Sequence, residues 1–324
     1  MKHAWKRTHW VYYSPLLILL AFLPGNEYFY NLIGMCVIYA IAVTALNITV
    51  GYAGQTSLGH GALVGIGAYA SALLTANGIP FLLALVCSGL IAGLFGLIIG
   101  FPSLKLKGPY LALSTIAFGV VVETFFNQST DLTQGAMGMT VSSAEIFGFS
   151  LDNSQQFLYF LLPFAAFVLI TTHHLLDSPV GRTWKAVRGD TTAAGILGIH
   201  TAHAKLIAFV YSAMLAGFAG SLWAHKTAFI SPESFSFHLS VELLVMVVLG
   251  GRGFLIGGIV GAVLLHLSMD QFQKFAFMQE NQMVLYGFLI VVLAMFMPKG
   301  IIGGLIALRQ RIKNREGASH HVSA

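Results

Sequence analysis

Few side chains in this sequence are equipped for chemistry, and they gather in three places. The first is Gly51 to Ala72, GYAGQTSLGHGALVGIGAYASA, where glycines at 51, 54, 59, 61, 65 and 67 bracket Gln55, Thr56, Ser57 and His60. Gly51 and Gly54 permit irregular backbone, and Thr56 or Ser57 is placed to cap the helix that follows. Thr44 and Asn47, one or two turns earlier, face the same region. Non-helical backbone at membrane depth survives only where protein or a water-filled cavity satisfies it. The segment therefore reads either as the border of a path for a polar solute or as a capped turn leading into a glycine-packed helix. The second place is Asp177 to Ile199, DSPVGRTWKAVRGDTTAAGILGI, a basic, helix-forming stretch in an otherwise apolar chain. The third is a pair of acids, Glu123 and Glu242. An acid inside a membrane span is a functional candidate by default, although a hydrogen-bonded structural role suits both equally, because both fall nearer the outer ends of their spans.

Other chemistry is excluded by what is missing. There is no GxxxxGK[ST] phosphate loop, and no glycine is followed by lysine anywhere. HExxH, a GxSxG elbow and metal-spaced Cys/His sets are also absent. His320 and His321 are adjacent but lack partners at ligand spacing, so no metal site is expected. Cys36 and Cys87 lie within spans, where the expectation is two buried thiols and no disulfide.

The elements that must position these residues are membrane helices. Hydrophobic residues make up 56% of the 324 and charged residues 9%, against about 25% charge in soluble domains. Mean hydropathy is +0.79. Apolar runs of about 20 residues, the length that crosses the hydrocarbon, give ten candidate spans: 10–24, 29–49, 58–76, 80–100, 109–127, 157–175, 203–225, 236–250, 254–270 and 283–298. The expected fold is an all-α polytopic membrane protein of about ten transmembrane helices, one domain over 1–324. With both termini cytoplasmic, 15 of 17 Lys and Arg residues fall inside, as the positive-inside rule requires. The basic balance is thus a topology signal, and no nucleic-acid partner is expected. Glycines four apart (61/65, 89/93, 96/100 and 257/261) let helix backbones approach closely. A stretch rich in turns, Gly135 to Thr140, reads as a strap over the outer face, and 309–324 as a solvated cytoplasmic tail.

The second place can be read in detail. Ser178-Pro179 is a helix start. Val180, Trp184 and Val187 form an apolar stripe, with Arg182 and Lys185 on another face. Gly189 ends this helix, Asp190 caps a second over Thr191–Leu197, and Gly198 closes it. A basic amphipathic helix on anionic lipid would look similar, but the bend and the second, Ala-rich helix favour a groove in a protein partner. The cytoplasmic loop 177–200 is therefore expected to dock.

Four strings carry a resemblance. VGRTWKAVRGDTTAAGILGI resembles the cytoplasmic loop of permease subunits of high-affinity branched-chain amino acid ABC importers, which runs close to GRAWRAIREDEIAAxxLGI. GYAGQTSLGHGAL, KLKGPYLALSTIAFG and SPESFSFHLSVELLVMVVLGGRG are similar to further segments of that family, in family order, and the longer M-type permease is the better match. The resemblance implies a loop that couples the pore to ATP hydrolysis in a separate subunit. Gly181, Arg182, Trp184, Lys185, Ala186, Arg188, Asp190, Ala193, Ala194 and Gly198 occupy its matching positions. Thr192 replaces an acid of the general pattern, and Gly189-Asp190 stands where two acids are usual. The resemblance also implies no cofactor bound by this chain, with ATP used by partner subunits. Its implied partners are a sister permease, two ABC ATPases and a periplasmic amino-acid-binding protein, in the inner membrane. A path lined by Asn47, Gln55, Thr56, Ser57, His60, Glu123 and Glu242 is the matching expectation for the spans. Urea or short-chain amide importers share these motifs and remain an alternative. A stand-alone secondary carrier would need two broken helices in corresponding halves, and the sequence presents one clear break.

Overall fold

The computed structural model describes residues 26–272, apart from 105, 107 and 147, together with 284, 287, 288, 300, 301, 303 and 304. The expected first span at 10–24, most of the last at 283–298, and the tail at 309–324 lie outside the described residues. Within them, six helices are long and apolar enough to cross a membrane and two more are shorter. They coincide with the other eight expected spans.

Helix α1 (Glu27–Asn47) runs on as a π turn, Ile48–Tyr52, and α2 follows at His60–Ala76. A turn at Gly78, φ +82°, leads to α3 (Phe81–Ser103). Gly108, at φ +54°, and Pro109 at the first helical position start α4 (Pro109–Gln128), the arrangement favoured at helix starts. A four-residue helix α5 (Thr130–Thr133) opens the strap, which holds β1 (Met139–Thr140), β2 (Glu145–Ile146) and β3 (Phe149–Ser150). Then come α6 (Ser154–Asp177), α7 (Pro179–Gly189), α8 (Thr191–Ile196) and α9 (Thr201–Thr227). Strand β4 (Phe229–Ile230) and a 3-10 turn at Pro232–Phe235 precede α10 (Phe237–Gly250) and α11 (Leu255–Phe272). The four short strands form two antiparallel pairs, β1 with β4 and β2 with β3.

The core is built on α1 and α9, which run antiparallel and pack on each other. Helix α9 carries α2 and α3 on its flank, and α1 carries α10 and α11. Each half is thus a long helix, an irregular stretch, a short helix and a return helix, the two running in opposite directions. The expectation of a single break is corrected: a second lies at 228–236. Small residues allow the close packing. Any side chain at Gly67 would strike the Gly217 backbone, one at Gly220 the Val64 carbonyl, and those at Gly89, Gly93 and Gly96 would meet Phe218, Met214 and Ala213 of α9. Large apolar side chains on α3 and α4, among them Leu83, Leu90, Leu113 and Val121, are exposed, as befits helices that face lipid.

Helices α2 and α10 begin inside the bundle, not at its ends. Thr56 bonds the carbonyl of Gly108 just before α4, whereas Leu58 bonds Thr115, well inside α4. The chain therefore climbs alongside α4 before α2 begins. From the strap end, the second break descends until a side chain at Gly65 would meet Phe235, and one at Gly61 the Ser236 carbonyl. The breaks meet where Gly61 N–H donates to Ser240 Oγ at 2.9 Å.

Candidate functional site

The first break is held by side chains, because its backbone has no ladder. Gln55 N–H donates to the Thr49 carbonyl at 2.9 Å, Thr56 Oγ1 to Gly108 at 3.0 Å, and Leu58 N–H to Thr115 Oγ1 at 3.0 Å. Neither Thr56 nor Ser57 caps α2. Gly59 is the residue before its first turn, with no side-chain cap, and this corrects the expected capping. Ser57 instead faces His60 Nδ1 at 2.9 Å, and His60 Nε2 lies 2.6 Å from Ser212 Oγ, which donates to the Ala45 carbonyl at 2.6 Å. Since Ser212 spends its proton on Ala45, His60 Nε2 must donate to Ser212 and Nδ1 must accept from Ser57. A neutral imidazole satisfies every bond in this buried chain, so His60 fastens α2 to α9 and α1.

Asn47 has a similar task. Its Oδ1 accepts from Gly253 N–H at 2.9 Å and its Nδ2 donates to the Phe254 carbonyl at 2.9 Å, bracing the α10–α11 turn. Gln55 is 6% exposed, and its Oε1 has no hydrogen-bond partner; neither do the buried hydroxyls of Thr44 and Thr49. Buried polar atoms are rarely left so. These three, all on the π turn or beside it, mark the part of the break that can accept hydrogen bonds from a polar guest or water.

Glu242 is 7% exposed, with Tyr39 Oη donating to it at 3.4 Å. Tyr39 lies near the middle of α1 and packs on Trp223 and His266. The expected position near the outer end is corrected: because α10 starts deep, Glu242 sits at mid-bundle. Glu123 lies in the strap-side half of α4 and is half-buried. The structure thus brings Asn47, Gln55, Thr56, Ser57 and His60 around one break and leaves Glu123 and Glu242 apart from it.

The polar loop folds as its punctuation dictates. Helix α7 starts at Pro179 after Ser178, although the Ser178 hydroxyl donates back to Leu175 at 2.6 Å instead of capping. Asp190 does cap α8, accepting from Thr192 N–H at 2.7 Å and Ala193 N–H at 3.0 Å. Those bonds, that from Ala193 first, hold its carboxyl below the usual aspartate range. Gly198 closes α8 at φ +83°. Gly181, Trp184 and Val187 are buried against the bundle, as is Ala194 on α8. A side chain at Gly181 would strike Leu176.

The basic residues turn to the chain's own carbonyls. Arg182 donates to Asp177 at 3.0 Å, Lys185 to Leu176 at 3.0 Å while lying over the Tyr52 ring, and Arg188 Nη1 to Gly51. Exposed as well, but without such bonds to the bundle, are Ala186, Thr192, Ala193 and the tip of α8, where Ile196 and Leu197 are 83% and 79% exposed. Sequence reasoning missed this tip. Its signal was there: two large apolar residues between glycines in a polar loop, GILG.

The family model for the permease component of branched-chain amino acid transport systems matches residues 28–294. The chain belongs to that family. The LivM permease of the high-affinity branched-chain amino acid transport system of Escherichia coli K12 is 35% identical over 310 residues, 88% of this chain and 72% of the relative. The LivM permease of Salmonella typhimurium is 36% identical over 293 residues, covering 83% and 68%. The LivH permease of Salmonella typhimurium is 25% identical over 284 residues, 82% of this chain and 91% of the relative. No solved structure matches the chain. This permease is thus a multi-pass membrane protein whose relatives are transport subunits and not enzymes themselves.

Proposed function

We propose that the protein is the M-type membrane subunit of an ATP-driven importer for branched-chain amino acids, forming half of the path beside a sister permease in the bacterial inner membrane. It is driven by two separate ATPases and receives substrate from a periplasmic binding protein. The observation that carries this reading is the division of labour in α7–α8. One face of the pair is buried on the bundle, and the other offers the apolar tip Ile196 and Leu197 beyond it. An exposed apolar pair at the end of a capped helix suits a hydrophobic groove of a partner. Ala193, Thr192 and Asp190 flank the tip, and Gly198 lets the chain leave it sharply. The residues of α7 support the tip: Gly181 and Trp184 seat it, while Arg182 and Lys185 secure the α6–α7 corner.

Coupling requires the tip to bind one nucleotide state of the ATPase more tightly than another. The path then opens at the first break, where Gln55, Thr49 and Thr44 offer unfilled hydrogen-bonding capacity. The test is uptake of labelled leucine into liposomes holding both permeases and the ATPases, with binding protein added. ATP-dependent uptake that urea does not compete supports the reading. Uptake that persists without ATPases defeats it.

A further inference from the structure

Arg188 occupies a position that docking to a partner does not explain. It falls four residues after Trp184 and three after Lys185, and although the residue is exposed its guanidinium turns back onto the bundle. Its Cα lies against Gly54, at φ +69°, where an added Cβ would stand 3.2 Å from it. Its Nη1 donates to the Gly51 carbonyl within the π turn that ends α1. Carbonyls at a helix C-terminus lack intrahelical partners, and a cation there meets the negative end of the helix dipole. The same guanidinium lies against Gly253, at φ +83°, where any side chain would take the place of Nη1. Gly253 N–H is in turn held by Asn47 Oδ1 at 2.9 Å. One side chain therefore spans α7, the turn from which the first break departs, and the turn that follows the short helix of the second half.

We infer that Arg188 is the mechanical link by which displacement of the α7–α8 loop reaches both halves of the permease, a positioning residue that works on its own chain. Charge-assisted bonds from a planar guanidinium are short and directional. Lysine, a point charge on a flexible stem, cannot both donate to Gly51 and lie flat against Gly253. The π turn is the element suited to respond, since such turns are frequent at functional sites. The inference rests on the proposed docking of the α8 tip, and its test separates the two.

The test uses the assembled importer in liposomes with its binding protein. It reads co-purification of the ATPases with the permease, and the ratio of substrate-stimulated to basal ATPase activity. Arg188→Ala keeps the ATPases bound while the ratio falls about tenfold, a size usual for coupled sites. Arg188→Lys recovers part of the ratio. Gly253→Ala crowds both the guanidinium and the Gly51 carbonyl at a φ of +83°, so its uncoupling supports the link only together with that of Arg188→Ala. Ile196→Asp/Leu197→Asp instead loses the ATPases. The link is overturned if Arg188→Ala sheds the ATPases as the tip variant does, or if Arg188→Ala assembles and keeps the wild-type ratio, whatever Gly253→Ala does. If the tip variant assembles normally, the docking reading falls, and the link with it.

Discussion

The two breaks do the same architectural task with opposite materials. The first, between Tyr52 and His60, is rich in glycine and small polar residues, and its fastenings are hydrogen bonds to α4, α9 and α7. The second, between Thr227 and Phe237, is fastened by β1–β4 pairing, Met139 with Ile230, and by Phe235 buried at 2% exposure against Tyr69 and Trp223. One break is tied to the loop proposed to meet the ATPase, the other to the strap at the far end. Side-chain hydrogen bonds exchange partners over small displacements, whereas a strand pair and a buried ring move only with their surroundings. On that contrast the first break is expected to be the part that changes and the second its anchor.

A large change where the breaks touch should erase both. A side chain at Gly61 meets Ser236 and Ser240, so Gly61→Leu is expected to yield no folded permease by size-exclusion chromatography in detergent. Phe235→Ala tests the anchor. Loss of a buried ring costs about 3–5 kcal/mol, so the variant should lose thermal stability, with uptake falling in step with folded protein. Ser212→Ala tests the first break more gently. It strands the His60 Nε2 proton, at about 1–2 kcal/mol for a bond in a membrane protein. Its uptake rate should change by more than its stability explains. Equal behaviour of the Phe235 and Ser212 variants would remove the distinction between anchor and moving part.

The smallest effect concerns Asp190. Its folded pKa is depressed, so its capping of α8 is complete above the ordinary aspartate value of about 3.9. It is lost as pH falls through the lower folded value. Amide exchange at Thr192 and Ala193 should quicken in that acid range for wild type. Asp190→Asn, which still caps, should show no such transition. An acid transition in the Asn variant would assign it to another group.

Much of the site was legible because its signals are local. Pro179, Asp190 and Gly198 set the limits of α7 and α8 through cap and φ preferences that need no tertiary contact, although Ser178 precedes α7 without capping it. The glycine-rich stretch revealed the first break for the same reason. The second break was missed although Pro232 marked it, because its neighbours are apolar and read as the flank of a span. Burial of Arg188's partners could have been suspected from its spacing to Trp184, but a carbonyl 137 residues away leaves no trace in the spacing.

The chain's apolar lengths determined that it crosses the membrane many times, since no other structure satisfies so many apolar residues and their backbone groups. Its punctuation determined where the polar loop bends. Only the tertiary structure decided how deep each helix begins, because depth depends on what lies alongside. Thr115 and Ser240 set the level of α2, and Phe235, packed at Gly65, sets that of α10. It also decided which polar residues are fastenings and which are left unfilled. Asn47 and His60 look like Gln55 in sequence, and differ from it because Gly253, Phe254, Ser57 and Ser212 come within bonding distance of them.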